Sequence, residues 1–374
     1  MILLQKIIKK CKYSDFPYLE CFIIGTTVAV SFACLMALSR ATDIVHNGMQ
    51  TSTIVWILFV SFFLSVAIAI LSVMAGIGGG IIFTPVMLAF TDINSLLVRG
   101  TGIIVAMSSG AVSAGIFTKK GLSNYRLNLV MILCLGLGAF LGAELAIHTA
   151  IGTGVMGEGA LRLALGCILL ALVIFFLSGG KKMTSPKVEH VDKLTRFLKL
   201  EGRYYEEGEK EIRNYKVKRA PLGMVLLFLI GILGGFFGMG GGWAITPALN
   251  IGMGLPLRVA AASSNVILGV GGSMSVWPYI FAGAVIPLFT LPWLAGQVVG
   301  GFIGAHALTR VKVDFVRIIL IGVMVFTSFT LVTKGLEMLG FIREIPAFVQ
   351  VILFILIMLG AAMIAFRERR RNNG

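Results

Sequence analysis

Two glycine runs are the chain's strongest candidates for chemistry. The first, Gly76-Ile77-Gly78-Gly79-Gly80, is followed by Thr84-Pro85, and the second, Gly238-Met239-Gly240-Gly241-Gly242, by Thr246-Pro247. A lipid-facing helix has no use for such a run, because each glycine costs up to about 1 kcal/mol relative to alanine in a helix interior. Irregular backbone at membrane depth persists only where protein buries it or where it lines a wet cavity. The chemistry on offer is anion binding. A glycine break that starts a half-helix exposes N–H groups with partial positive charge, so an anion is held without a full cation. Close helix packing through the same glycines is the competing account. Thr-Pro at equal spacing after both runs favours a lined site. It would use Gly78, Gly79, Gly80, Thr84 and Pro85 from one run and Gly240, Gly241, Gly242, Thr246 and Pro247 from the other. Neither run is a nucleotide motif: the dinucleotide fingerprint needs glycine where Ile81 and Trp243 stand, and no P-loop lysine follows.

Polar residues after each break are the next candidates. They are Asn94, Arg99, Thr101, Ser108 and Ser109 in the first region, and Arg258, Ser263, Ser264, Asn265 and the more distant Gln297 in the second. Hydroxyls and amides replace the water shell of a small oxyanion, and an arginine at the mouth attracts it. Against this, Ser and Thr often bond their own helix carbonyls, and an arginine at a helix end can snorkel to the interface. Ionisable groups within the apolar runs are few, which limits proton-coupling schemes. Glu144, His148 and His306 fit interfacial positions best. No Ser-His-Asp, Cys-His or metal-ligand constellation is present, so neither an enzyme nor a metal or other cofactor is expected. The five cysteines lack ligand spacing and read as small packing residues.

These residues sit in elements that the sequence repeats. At the offset separating the glycine runs, Thr101 meets Ser263, Gly110 meets Gly272, Ser113 meets Ser275, Gly121 meets Gly283, Gly138 meets Gly300, and Gly142-Ala143 meets Gly304-Ala305. A gapless register of that length is an internal duplication. Gly296, Gly300 and Gly304 form a row at four-residue spacing, matched by Cys134, Gly138 and Gly142, which suits close packing between the repeats. The chain is 57% hydrophobic and 13% charged, with a mean hydropathy of +0.95. Apolar runs long enough to cross a bilayer recur throughout, none with the alternation of a barrel strand, so an all-α polytopic membrane protein is expected.

The net charge of +15 is distributed by position. Lys6, Lys9, Lys10 and Lys12 precede the first apolar run. Lys119, Lys120 and Arg126 share one loop, Arg310 and Lys312 another; residues 181–219 are basic, and Arg367, Arg369, Arg370 and Arg371 end the chain. Cationic loops alternating with nearly uncharged ones are the positive-inside pattern, which argues against a nucleic-acid partner. With the N-terminus cytoplasmic, an uncleaved helix at 21–38 within residues 1–53 crosses first. A first repeat at 54–180 follows, then a cytoplasmic insert at 181–219, a second repeat at 220–366 and a basic cytoplasmic tail at 367–374. Each repeat makes about five crossings, an odd number, so the copies have opposite orientation, the inverted-repeat plan of many secondary transporters. The glycine-broken segments 76–90 and 240–251 are the crossings that re-entrant loops would imitate. Within the insert, Gly208 between acidic residues suits the turn of a short hairpin.

The two glycine blocks, each followed by a proline, an Ala/Ser/Thr-rich helix and a Gly-x-x-x-Gly-Ala close, resemble the TauE/SafE family of membrane proteins. Gly234-Gly235-Phe236-Phe237-Gly238-Met239-Gly240-Gly241-Gly242 with Pro247, then Ala260-Ala261-Ala262-Ser263-Ser264-Asn265, is similar to that family's more typical half. The resemblance spans about residues 60–366. It implies an inner-membrane transporter that exports sulfite or small organosulfonates, with site residues at Gly78–Gly80, Pro85, Thr101, Gly240–Gly242, Pro247 and Ser263–Asn265. The first helix and the insert depart from the short family form, and Gly102 stands where the second copy has Ser264. The expected partners are therefore a small inorganic or organosulfur anion, the bilayer, and a coupling proton or other ion. The alternative is a non-transporting scaffold or sensor that docks a soluble partner through the insert.

Overall fold

A computed structural model describes residues 51–75, 77–91, 93–119, 121–179, 192–198, 200–206, 211–307, 313–342 and 349. The expected helix at 21–38, the end of the second repeat beyond residue 342 apart from residue 349, both termini, and Gly76, Lys120, Gly208, Arg310 and Lys312 lie outside the described residues. The first copy begins with α1 (Thr51–Ala75), α2 (Gly80–Phe90) and α3 (Ser95–Lys119). α4 (Tyr125–Gly179) consists of two helical arms joined at Gly154, whose backbone leaves the helical region at φ 54° and ψ −143°. The insert supplies α5 (Lys193–Phe197) and the antiparallel strands β1 (Gly202–Glu206) and β2 (Glu211–Tyr215), paired from Gly202 against Tyr215 to Glu206 against Glu211. The second copy comprises α6 (Ala220–Phe237), α7 (Gly242–Pro247), α8 (Leu257–Gly271), α9 (Val276–Phe281), α10 (Pro287–Ala307) and α11 (Val313–Met338). A π-turn (Ala248–Gly252) extends α7, and a 3-10 turn (Gly272–Ser275) joins α8 to α9.

Among the described residues, eight segments are long and apolar enough to cross a membrane. Their outer faces confirm the solvent. On the first arm of α4, Leu129, Leu133, Leu137, Leu141 and Leu145 form an exposed ridge at four-residue spacing, while Leu127, Met131, Leu135, Ala139 and Ala143 are buried on the other side. A water-soluble chain would not leave such a ridge bare, and lipid covers it at no cost. The fold is all-α and polytopic, as the apolar runs predict, with the small hairpin of the insert as its described sheet.

The halves touch reciprocally. Gly138 and Gly142 pack on the backbone of Phe228 and Ile232, and their images at the repeat offset, Gly300 and Gly304, pack on that of Val66 and Ile70, the images of Phe228 and Ile232. Gly110 meets Gly269 while Gly272 meets Met107, and Gly80 meets Met239 while Gly242 meets Ile77, each again an image pair. Such self-complementary contacts are those of an isologous interface, here within one chain. The glycine rows on α4 and α10 therefore pack as expected, each against the first helix of the other copy. Numbering rises together along those pairs and in opposite senses along α3 and α8, so the latter two, which are images of one another, pack antiparallel.

The insert closes one face. Asn124 Nδ2 reaches the carbonyls of Leu200 and Glu201, each at 3.3 Å, and the Lys218 amide donates to Met253 at 2.9 Å. Leu200, Tyr204, Tyr215 and Val217 are buried with Met253 and Leu255 in one core. Residues 192–219 are thus docked on the bundle wherever they are described.

Candidate functional site

The glycine breaks meet each other at membrane depth. Gln297, at the middle of α10, bonds Ser65 of α1 through Nε2 and rests against Gly79 through Oε1. Ser65 lies ten residues before the end of α1, and past that end the Ile77 amide bonds back to the Ser72 carbonyl at 3.0 Å, so the chain turns back toward α1 before α2 begins. α2 itself has 11 residues, about half of a hydrocarbon core. A tight glycine reversal followed by a half-length helix is the result. Gly78 and Gly240 hold φ of 77° and 67° where the backbone reverses, and both pack on Ala106 and Leu268. A Cβ on Gly80 would stand 2.6 Å from the Met239 carbonyl oxygen, so side chains at the meeting point are excluded.

Equivalent in sequence, the two breaks differ in lining. At the first, the Gly79 amide donates to Ser109 Oγ at 3.2 Å, and Gln297 and Ser65 are adjacent and fully buried. At the second, Gly241 faces Ile230, Leu135 and Ile245. Leu135 and Leu227 occupy the positions that Gln297 and Ser65 hold in the other copy. The polar break is therefore the first, although the second carries the fuller sequence signature.

Several sequence-derived candidates are engaged in the scaffold. Thr84 Oγ1 donates to the Gly238 carbonyl at 2.7 Å and ties α2 to the opposite glycine run. Thr246 is buried. Pro85 lies buried within α2, and Pro247 leads into the π-turn, where a missing N–H loosens the helix. Ser264 Oγ donates to the Gly242 carbonyl at 3.3 Å. Ser108 and Ser109 bond their own helix carbonyls, Val105 and Ala106. Asn265 Nδ2 does the same with Ala261, but its Oδ1 is buried without a partner. Asn94 caps α3 through the Leu96 amide, Arg258 is exposed, and Glu144 and His148 form a wide surface pair at 3.9 Å.

Arg99 departs from both of its sequence readings, since it neither snorkels nor stands at an open mouth. It is 1% exposed. Its guanidinium donates to Phe236 O at 3.2 Å and to Ser95 O and Oγ, and lies 5.9 Å from the Phe236 ring. Tyr279 Oη donates to the Gly235 carbonyl at 2.8 Å. Together they satisfy the end of α6, where a cation also suits the helix dipole. None of these Arg99 partners is a carboxylate, so positive charge stands beside the second glycine run.

A second asymmetry links Thr101 and Ser263, which are images. Thr101 Oγ1 lies 3.1 Å from Thr290 Oγ1. The image of Thr290 is Asn128, and both Ser263 Oγ and Asn128 Oδ1 are buried without a partner. One hydroxyl pair is made; its image is not. Sequence reasoning overlooked Ser65, Asn128, Thr290 and Trp293. Ser65 and Thr290 left a trace, as hydroxyls within apolar spans.

A family profile described as Sulfite exporter TauE/SafE matches residues 60–331. The chain is 22% identical over 268 residues to a Bacillus subtilis (strain 168) protein named Probable membrane transporter protein YunE, covering 70% of this chain and 92% of that one. A Probable membrane transporter protein of Xylella fastidiosa (strain Temecula1 / ATCC 700964) is 26% identical over 238 residues, 63% of this chain and 79% of its own. Sulfite exporter TauE/SafE family protein 6 of Arabidopsis thaliana shares 36% identity over 78 residues, 21% of this chain and 17% of its own. No solved structure matches. With the profile covering most of a bundle whose glycine breaks meet inside the membrane, the chain belongs to the TauE/SafE family of membrane transporters.

Proposed function

We propose that this protein is a secondary transporter of a small sulfur-containing anion (sulfite, thiosulfate or an organosulfonate) that it exports across the inner membrane, with both termini cytoplasmic. The observation that carries the reading is the meeting of two glycine breaks between the copies, one of them lined by Ser109 and Gln297 at the N-terminus of α2. Helix N-termini attract anions, and the buried Arg99 puts a cation beside the second glycine run. The names of the relatives support the class of activity.

Transport proceeds by alternating access between inverted repeats. Reciprocal contacts and the antiparallel packing of α3 on α8 support the inversion. The made pair Thr101–Thr290 and its unmade image Ser263–Asn128 support two end states that exchange roles. Gly78–Gly80, Thr84, Pro85 and Thr101, with Gly240–Gly242, Thr246, Pro247 and Ser263–Asn265, form the moving centre, and a proton or other ion supplies the drive. The scaffold reading is the weaker one, because Tyr204 and Tyr215 of the insert are buried against the bundle instead of displayed to a partner.

The test is anion flux in proteoliposomes of the purified protein, comparing labelled sulfite, thiosulfate, sulfate and a small sulfonate with and without a pH gradient. Saturable flux of a sulfur anion that falls when Asn265 or Gly241 is replaced is expected. Folded protein with no flux of any of them would end the transport reading.

A further inference from the structure

Two buried polar atoms without partners face the same seam, and they are of opposite kinds. Gln297 Oε1 is an acceptor and Trp293 Nε1 a donor, and neither finds a hydrogen bond. Their residues are one turn apart on α10 and pack against residues one turn apart at the start of α2: Gln297 against Gly79, and Trp293 against Phe83 with ring centroids 4.7 Å apart. Gln297 is fully buried and Trp293 nearly so.

The orientation of the Gln297 amide is fixed by its neighbours. Ser65 Oγ spends its one proton on the Trp293 carbonyl at 2.6 Å, so toward Gln297 it accepts. The Ser65 carbonyl only accepts. Both lie 3.1 Å from Nε2. Turning the amide over would set oxygen against two acceptors, so Oε1 must face Gly79. A buried acceptor left without a donor is costly, and a ligand that supplies one regains that loss.

An ordinary anion does not supply one. The N-terminus of α2 and Trp293 Nε1–H donate, so they suit any oxyanion, but an oxyanion lacking a hydrogen leaves Gln297 Oε1 facing a like-charged oxygen. A metal cation would satisfy Oε1 and be repelled by the helix N-terminus. An anion carrying an O–H satisfies all the groups together. We propose that Gln297 makes the transporter selective for an oxyanion in its singly protonated form, such as hydrogen sulfite, over anions without a hydrogen to give, with Trp293 as the sequence-independent anion donor beside it. This inference rests on the transport reading and names the protonation state of its substrate. The image positions of Gln297 and Trp293 are Leu135 and Met131, so the selectivity resides in one copy.

The experiment is flux in proteoliposomes at mildly acidic pH, where sulfite is mostly its protonated monoanion, against methanesulfonate, a monoanion of similar size without an O–H. The wild type should carry sulfite about tenfold faster at equal concentration, the worth of one hydrogen bond to an otherwise orphaned buried acceptor. Gln297→Met, which keeps volume and removes the acceptor, should bring the sulfite-to-methanesulfonate ratio toward one. Trp293→Phe should slow both anions and leave the ratio high. Equal flux of both anions in the wild type, which requires no variant to fold, would overturn the inference while leaving transport standing. So would an unchanged ratio in folded Gln297→Met, or a sulfite flux that requires sodium and loses the requirement in that variant. Absence of flux for every anion would instead defeat the transport reading.

Discussion

At the scale of residues, glycine here has two uses, and substitution separates them. Gly242 lies on the Ile77 backbone at the meeting of the breaks, whereas nothing lies within 4 Å of the place a Cβ would occupy on Gly115. Gly242→Ala should therefore destabilise by about 1–3 kcal/mol or more through overpacking, while Gly115→Ala should be neutral or stabilising by up to about 1 kcal/mol through helix propensity. Thermal unfolding in detergent checks both. Arg99→Lys offers a different test. The guanidinium serves Phe236 and Ser95 from three nitrogens at once, and an ammonium has no such fork. A loss of about 1–3 kcal/mol is expected from acceptors left unpaired, so charge alone will not rescue the melting temperature. The sequence makes the glycine runs legible because backbone crowding admits no other residue. It hides Gln297 with Ser65, since that contact joins positions 232 residues apart. It misleads at Arg99, because nothing local announces that the end of α6 needs a cap.

At the scale of elements, the insert contributes the clearest pH-dependent contact. Asp192 begins α5, and its carboxylate accepts from the Thr195 amide at 3.2 Å and from the Thr195 hydroxyl. Burial pushes its carboxyl up, but hydrogen bonds from Thr195 and from the backbone of Asp192 and Arg219 outweigh that and hold it below the ordinary value of 3.8. A depressed folded value stabilises above the unfolded one, and the contribution is lost as pH falls through the folded value. Limited proteolysis of the insert should thus be constant near neutrality and accelerate only below about pH 4, and Asp192→Ala should show the faster cleavage at every pH. Hydropathy located the long helices well, since twenty apolar residues have few other fates. It gave no sign of the π-turn after Pro247, which is set by local backbone geometry that composition does not encode.

At the scale of the whole molecule, reciprocal contacts make alternation a statement about named pairs. Cysteines at 101 and 290 should cross-link readily in the resting protein, where the native hydroxyls are 3.1 Å apart, and the link should arrest flux. Cysteines at 263 and 128 should link chiefly while a transported anion is cycling. Simultaneous formation of both links in one molecule would show that the ends do not alternate. The insert bears on the same cycle. It joins Asn124 of one copy to Met253 of the other on a single face, by bonds from residues 200, 201 and 218. A two-fold pair of halves standing alone would have two degenerate openings, each the image of the other. A strap across one of them lifts that degeneracy: opening its own face must shear the strap, whereas opening the far face leaves it intact. In such a machine the gradients would still set the direction of net flux, but the resting balance between the two openings would be tuned partly outside the membrane, in a short hairpin that no anion needs to touch.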